Sequence, residues 1–303
     1  MAINQIKDNK LSAPVPRGNV MEFQDKFIGF VDVLGFGSLV ERAERGEGMT
    51  LSSIQEALED LGTEADKESV EKYGPSICPE APRVKPDVDF QLTQVSDCVI
   101  VSTEISPAGV ITLTNHCWMV ATKLLSRGLM CRGHIRRGTI AHKGARFIGT
   151  GYQEAVKHEK TVSILQRCPE ECGTPFVEID AGVKEYVEAC KDDCVREMFR
   201  RLVHESDGLC AIFPFKSFST SFVVNGTFNT EKEKHKNDTE RQLIVRMKET
   251  IHRYVDKDDL KAVQKMEHYN AALDKQLEQC DRADKMIDML NTPFPHGDLC
   301  RGA

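Results

Sequence analysis

Two aspartates, Asp32 and Asp97, stand at the ends of apolar, β-rich runs, where packing gives no reason for a charge. Asp32 follows KFIGFV, and Asp97 lies between QLTQVS and CVIVST. An acid in such a place is commonly a turn former or a helix cap. Two carboxylates that meet beside a phosphate site are also the ligands that two divalent ions need in nucleotidyl transfer. We therefore take the pair as candidate metal ligands.

The segment after Asp32 has the features of a phosphate-binding turn. Residues 33–37 read VLGFG, and GSLVERAERG then predicts a short helix that ends at Gly46. Backbone N–H groups at a helix start bind anions well. The N–H groups of Leu34, Gly35 and Phe36 are therefore the predicted contacts to a triphosphate.

The elements that position these residues alternate between strands and helices, which predicts an α/β (α+β) fold. Order is expected from about Glu22, and a tight turn at Ser96-Asp97 is expected to join two strands. The remaining predictions are a helix over 51–73, a buried helix in AGVITLTNHCWMVATKLLSRG, strands in LMCRGHIRRGTIAH, GARFIG, PFVEID and DGLCAIFPFKSF, and helices in GYQEAVKHEKTV and over 181–203.

The chain divides into three parts by composition. Residues 1–20 lack periodicity and predict a flexible arm, and residues 21–222 form the predicted catalytic domain. Residues 230–291 keep helical spacing on either side of DKDD and predict a helical hairpin. The hairpin is expected to pack on the core or at a dimer interface, and its apolar stripes leave open an interaction surface.

Composition excludes several classes of function. The net charge of −7 over 303 residues argues against general nucleic-acid binding. No apolar run approaches the length of a membrane helix, and the N-terminus has no signal segment. The eleven cysteines lack the paired CxxC spacing of zinc sites, so reduced thiols in a cytoplasmic, soluble protein are expected.

Four motifs together resemble the class III nucleotide cyclases, and more closely the bacterial pyrimidine cyclases of Pycsar antiphage systems. They are FVDVLGF, VSDCVIVS, RGHIRRG and GTGYQEAVKHE, over roughly residues 27–159. The resemblance implies a ferredoxin-type sheet with flanking helices. It also implies that Asp32, Asp97 and the carbonyl of Val33 hold two Mg²⁺ or Mn²⁺ ions per active site.

The resemblance assigns further residues to the triphosphate and to the transition state. Arg132 in RGHIRRG matches the arginine that reaches the triphosphate, and an exposed strand arginine is the alternative. The family spacing Asn-x-Ala-x-Arg-x-Glu falls on Gln153, Ala155, Lys157 and Glu159. Lys157 replaces the planar arginine fork by a point charge, so a solvated helix face stays an alternative for Gln153 and Lys157.

The positions that read a purine in related cyclases fall here on Thr93 and Arg146. Arginine only donates hydrogen bonds, so it suits the carbonyl edge of uracil better than the amino group of cytosine. Tyr152 is a second candidate wall for a small base, or else a packing residue. These positions predict UTP, with CTP as the less favoured substrate.

The function that the resemblance implies is a homodimeric cyclase in which each active site combines residues of both protomers. It would convert a nucleoside triphosphate to the 3′,5′-cyclic nucleotide and pyrophosphate. A non-catalytic nucleotide sensor on the same fold and a purine cyclase remain the alternatives.

Overall fold

The computed structural model describes residues 21–73, 88–171, 173–215 and 229–291. The predicted arm, the proline-rich segment 74–87 and the end of the predicted catalytic domain at 216–222 lie outside these ranges. The elements are, in chain order, β1 Gln24–Val33, α1 Phe36–Glu44, α2 Leu51–Glu59, α3 Glu64–Tyr73, β2 Phe90–Val95, β3 Cys98–Glu104, α4 Pro107–Ser126, β4 Cys131–Lys143, β5 Arg146–Ile148, α5 Thr150–Glu159, β6 Val177–Ile179, α6 Ala181–Glu188, α7 Asp193–Leu202, β7 Val203–Ser206, β8 Leu209–Ile212, α8 Thr230–Tyr254 and α9 Leu260–Asn291.

One mixed sheet forms the centre of the fold, in the order β2-β3-β1-β4-β6-β8-β7, and β5 pairs with β4 outside this path. Strands β2, β3, β1 and β4 pair antiparallel. Their chain order and spatial order are those of a ferredoxin-like βαββαβ unit. Strand β6 then extends the sheet parallel to β4. The predicted α/β fold, with a ferredoxin-type sheet and flanking helices, is confirmed.

The two faces of β1 have different tasks because successive side chains alternate across a strand. Phe27, Val31 and Val33 point into the main core, where α4 packs. Phe30 points to the other face, into a small cluster that includes Ala155 of α5. Asp32 lies on the same side of the strand as Phe30, so its carboxylate belongs to the face that α5 covers.

Helix α5 lies antiparallel along β4, and its side chains meet alternate residues of that strand. The glycines at one end bring the two backbones close together, and charged side chains pair at the other end. In order the contacts are Gly138 with Gly151, Arg136 with Glu154, His134 with His158, and Arg132 with Glu159.

Two long helices predicted from the sequence are each broken. The stretch 51–73 forms α2 and α3 because Gly62 adopts φ +131°, which ends a helix. The stretch 181–203 forms α6 and α7 because Asp192 caps a new helix by accepting a hydrogen bond from the N–H of Cys194. The second of these helices ends at Leu202, close to the predicted end, and β7 begins at the next residue.

Helices α8 and α9 form an antiparallel pair that packs on the sheet layer of the same chain. Asn237 donates to the carbonyl of Cys280, and Arg241 pairs with Asp281. Ile244, Met247, Ile251 and Tyr269 are buried in one cluster with Leu125 and Met130. Leu243 is exposed, and its neighbour Ile244 faces the core. Within the described ranges, no helix is apolar over the length that a bilayer would require.

Candidate functional site

The two aspartates predicted as metal ligands lie side by side. Asp32 is opposite Cys98 in the β1–β3 pairing, and Asp97 precedes Cys98. The N–H of Val33 donates a 3.1 Å hydrogen bond to the carbonyl of Asp97. Burial, the charge of Asp97 and the charge of Glu159 raise the pKa of the Asp32 carboxyl to about 7. The carboxyl groups of Asp32, Asp97 and Glu159 thus lie close together, and that of Asp32 is partly buried.

A divalent cation suits this donor set. Carboxylate and carbonyl oxygens are the ligands that Mg²⁺ and Mn²⁺ prefer, and a cation would offset the repulsion between the two acids. The part of the chain that the structure describes contains no group of three or more His, Cys, Asp or Glu side chains able to hold a metal. A site here would therefore use Asp32, Asp97, a backbone oxygen such as that of Val33, and substrate phosphates.

The turn after β1 leaves open space in front of helix α1. The N–H of Leu34 donates to the carbonyl of Met130, just before β4, at 2.9 Å. The prediction that this N–H contacts a triphosphate is therefore wrong, because its one hydrogen is used inside the protein. Gly35 is the N-cap with φ +73°, so no side chain caps the first turn. A Cβ atom added at Gly35 or Gly37 would meet nothing within 4 Å. The first N–H groups of α1, beginning at Phe36, are placed where an anion can reach them.

Arg132, the predicted triphosphate ligand, lies beside Asp32 but is already paired. The two residues are opposite each other in the β1–β4 register. The Arg132 Nε donates to Glu159 Oε1 at 2.5 Å, and the side chains are 14% and 5% exposed. Gly173 provides the space for the guanidinium, since a Cβ there would overlap Nη1. Arg132 therefore keeps only part of its donor fork for a phosphate.

Gln153 and Lys157 lie one turn apart on α5, and both are exposed. Ala155 and Glu159, on the opposite side of the helix, are buried against the sheet. The two predicted catalytic side chains thus point away from the sheet of their own chain. This orientation is what a site shared between two protomers requires.

The three predicted base-reading residues lie around the β4–β5 hairpin. The buried Thr93 hydroxyl donates to the carbonyl of Gly144 at 2.6 Å and is 2.9 Å from His142 Nε2. Its hydrogen-bonding capacity is largely used inside the protein. Arg146 is exposed in β5. The half-buried ring of Tyr152 packs edge-on against Phe147, as the packing alternative requires.

Charged residues to which sequence patterns assigned no role lie close to the acids. Glu159 raises and Lys160 lowers the pKa of Asp32. Glu159 had a signal, since it belongs to the GTGYQEAVKHE motif. Lys265 of α9 also reaches this region, and burial and Arg132 lower its pKa. No local pattern marks Lys265, because α9 comes from the far end of the chain.

No family model matches this chain, and no curated protein matches it. Among solved structures, it resembles the catalytic core of a rhodopsin-guanylyl cyclase with converted specificity in complex with ATPalphaS. The identity is 12%, the match covers 63% of this chain and 97% of the other, and the TM-score is 0.35. It also resembles a class III adenylyl cyclase-like ATP-binding protein from Pseudomonas aeruginosa, at 14% identity and a TM-score of 0.32.

That second match covers 54% of this chain and spans only 35% of the Pseudomonas aeruginosa protein. Both neighbours are described as cyclases or cyclase-like, and neither description mentions a pyrimidine nucleotide. At these TM-scores the likenesses are distant and carry none of the functional argument.

Proposed function

We propose that this chain is a metal-dependent nucleotide cyclase. The observation that carries the proposal is the contact of the Asp32 and Asp97 segments directly beside the open turn at Gly35. In the reaction the ribose 3′-hydroxyl loses its proton to solvent, and its oxygen attacks the α-phosphate and forms the 3′,5′-cyclic phosphodiester. The bond to the β-phosphate breaks, and pyrophosphate leaves with the displaced charge.

Asp32, Asp97 and the carbonyl of Val33 would hold two Mg²⁺ or Mn²⁺ ions. Bound there, the ions supply activation of the hydroxyl and neutralisation of charge on the phosphates. The chain itself orients the substrate: the N–H groups of Gly35 and Phe36 bind the phosphates. Most of the catalysis then comes from positioning and charge stabilisation.

The remaining groups come from a second copy of the chain. Gln153 would hydrogen-bond the ribose, and Lys157 would stabilise charge that develops on the phosphate. Both are exposed and turned away from their own sheet, which supports a homodimer with composite sites. A monomer would lack these groups and be inactive.

The base pocket favours UTP, with CTP second. Arg146 is exposed and offers only N–H donors to a base, and Tyr152 supplies an aromatic wall. Thr93 contributes through the hairpin that it anchors at Gly144. The cyclic nucleotide would serve as a cytoplasmic antiphage second messenger, as the sequence resemblance implies.

A sensor without catalysis is the second candidate. It is favoured by the pairing of Arg132 with Glu159 and by a lysine at the place of the family arginine. A sensor would bind nucleotide without releasing pyrophosphate. A purine cyclase differs only in the nucleotide that it consumes.

The test is incubation with equal concentrations of the four nucleoside triphosphates and Mn²⁺, with products identified by mass spectrometry. We expect cyclic UMP and pyrophosphate. Asp32→Asn and Asp97→Asn should abolish both products, while Asp25→Asn, an exposed position on the same strand, should retain them. A mutant of either acid with normal turnover would contradict the proposal, and binding without pyrophosphate would favour the sensor.

A further inference from the structure

The turn between α8 and α9, residues 255–259, lies against the Gly35 turn, which is the proposed phosphate-binding turn. Arg42 of α1 donates from Nη1 to the carbonyl of Tyr254, the last residue of α8, at 3.1 Å. Leu34 and Gly35 line one side of a cavity, and Val255 and Asp259 line the other. The hairpin is thus a neighbour of the turn that follows Asp32.

Helix α9 is anchored beside Arg132. Tyr269 is 2% exposed and is buried in one cluster with Met130, the residue before β4. Met266, one turn earlier, is buried in the same cluster. Lysine 265 precedes Tyr269 by four residues and so lies on the same side of α9. Ala262, three residues before Lys265, lines the same cavity as Leu34 and Met130, so this side of α9 faces the start of β4.

Lys265 is half-buried, and it forms no ion pair with any residue of the described segments. Burial is the main reason that its pKa is lowered, and the charge of Arg132 adds to the effect, while Asp259 and Glu159 oppose it. Arg132 and Glu159 are also neighbours of Asp32. A partly desolvated ammonium that has acids nearby but no direct ion-pair partner is unfavourable, and a bound anion would relieve it.

We propose that Lys265 binds the terminal phosphates of the substrate, so that the C-terminal hairpin forms part of the triphosphate site of its own chain. This inference rests on the proposed nucleotide-binding site. Arg132 and Lys160 lie close enough to Asp32 to lower its pKa, and Lys265 lies close to Arg132. The three cations are therefore neighbours of the metal site. Glu159 neutralises one of the three cations, and the remaining positive charge is directed at the polyanion.

The triphosphate would then be bound by two kinds of hydrogen-bond donor, backbone N–H groups and a lysine side chain. Backbone N–H groups of the Gly35 turn bind phosphate through fixed dipoles, whereas a lysine adds a full charge on a flexible stem. The leaving pyrophosphate gains charge as its bond breaks, so a cation at the terminal phosphates stabilises the products of the step as well as the substrate.

The test is binding of inorganic tripolyphosphate in the presence of Mn²⁺, measured by calorimetry on the full chain. Lys265→Gln should weaken binding about tenfold, as expected for loss of one charge-assisted hydrogen bond. It should raise KM for UTP similarly, and Lys265→Arg should restore most of the affinity. Lys285→Gln, exposed on the same helix, is the control and should bind as wild type does.

A structural role is separated by two further readouts. Lys265→Gln and a second neutral variant, Lys265→Met, should unfold at the wild-type temperature or above it. The inhibition constant of uridine, which competes with UTP but carries no phosphate, should be unchanged. Unaltered tripolyphosphate binding in both neutral variants would overturn the inference, and so would a wild type that does not bind it.

Failure of the proposed function would look different. A wild type that binds tripolyphosphate through Lys265 but forms no cyclic nucleotide would sustain this inference and reject the cyclase. Normal cyclisation with unchanged KM in Lys265→Gln would do the reverse.

Discussion

Arg132 Nε and Glu159 Oε1 lie 2.5 Å apart and form a largely buried ion pair that joins β4 to α5 directly beside Asp32. The pair ties the helix that carries Gln153 and Lys157 to the strand that borders the acids. It also sets the local charge, since Glu159 raises and Arg132 lowers the pKa of Asp32. Structure and site therefore depend on the same two side chains.

Glu159→Ala should lower the free energy of unfolding by about 3–5 kcal/mol, because it leaves Arg132 buried without its partner. Urea unfolding measures the change. The matched control is Glu154→Ala on the same helix, whose contact with Arg136 is partly exposed at 3.6 Å. That change should cost no more than about 1 kcal/mol. Equal losses of unfolding free energy in the two variants would show that the Arg132–Glu159 pair stabilises the fold no more than the exposed pair does.

Gly151→Ala should separate α5 from the sheet. A Cβ there would lie 2.4 Å from Ile28 Cδ1 and 3.0 Å from the carbonyl carbon of Gly138. We expect a loss of about 1–3 kcal/mol in unfolding free energy, together with reduced cyclase activity. In unfolding measurements, Gly37→Ala is the control, since a Cβ at Gly37 meets nothing within 4 Å. A fully stable, fully active Gly151→Ala protein would contradict the close packing.

Mixed dimers should recover activity if the sites are composite. Asp32→Asn and Lys157→Ala proteins, each inactive alone, should give about a quarter of wild-type activity after subunit exchange, because half of the dimers are mixed and each has one intact site. The control is Asp32→Asn mixed with Asp97→Asn, which breaks the acid pair in every protomer. Recovery in the control, or none in the test mixture, would argue against shared sites.

Arg146→Ala should reduce the preference for UTP. Loss of a donor matched to uracil carbonyls is expected to change selectivity by about ten- to a hundredfold. Lys143→Ala, opposite Arg146 in the β4–β5 pairing, is the control for a lost charge on the same hairpin. Competition among the four triphosphates measures the effect. Unchanged selectivity in Arg146→Ala would show that another residue reads the base.

Acid should destabilise the fold through buried histidines. Burial lowers the pKa of His116 to about 4 from its ordinary 6.5. Between these values the unfolded chain takes a proton that the folded chain refuses, so stability is present above pH 6.5 and is lost as the pH falls. At pH 5 the loss from one such group is roughly 2 kcal/mol.

His116→Gln should therefore lose about 2 kcal/mol less stability than wild type between pH 7.5 and pH 5. His134 and His142, whose pKa values are also lowered to about 4 by burial, keep part of the dependence in the variant. Urea unfolding at the two pH values measures it. His235→Gln, at an exposed position of α8, should follow the wild type. An identical acid loss in His116→Gln would exclude this source.

The positions of strands, turns and helices could be predicted from the sequence because they depend on residues that are close together along the chain. The apolar run before Asp32, the turn at Ser96-Asp97 and the spacing around DKDD each predict an element that the structure contains. The breaks at Gly62 and Asp192 were missed, since apolar periodicity continues across them. Glycine conformation and a cap decide those two boundaries.

The sequence by itself determined that each of the two acids stands at the end of a strand and that a glycine turn follows the first of them. Only the tertiary structure decided which charges meet those acids. Glu159 pairs with Arg132, and the Thr93 hydroxyl is hydrogen-bonded inside the protein. Helix α9 brings Lys265 close to Arg132. The physical reason is that strand ends follow from short-range patterns, whereas pairing of charges depends on packing between elements that are far apart along the chain.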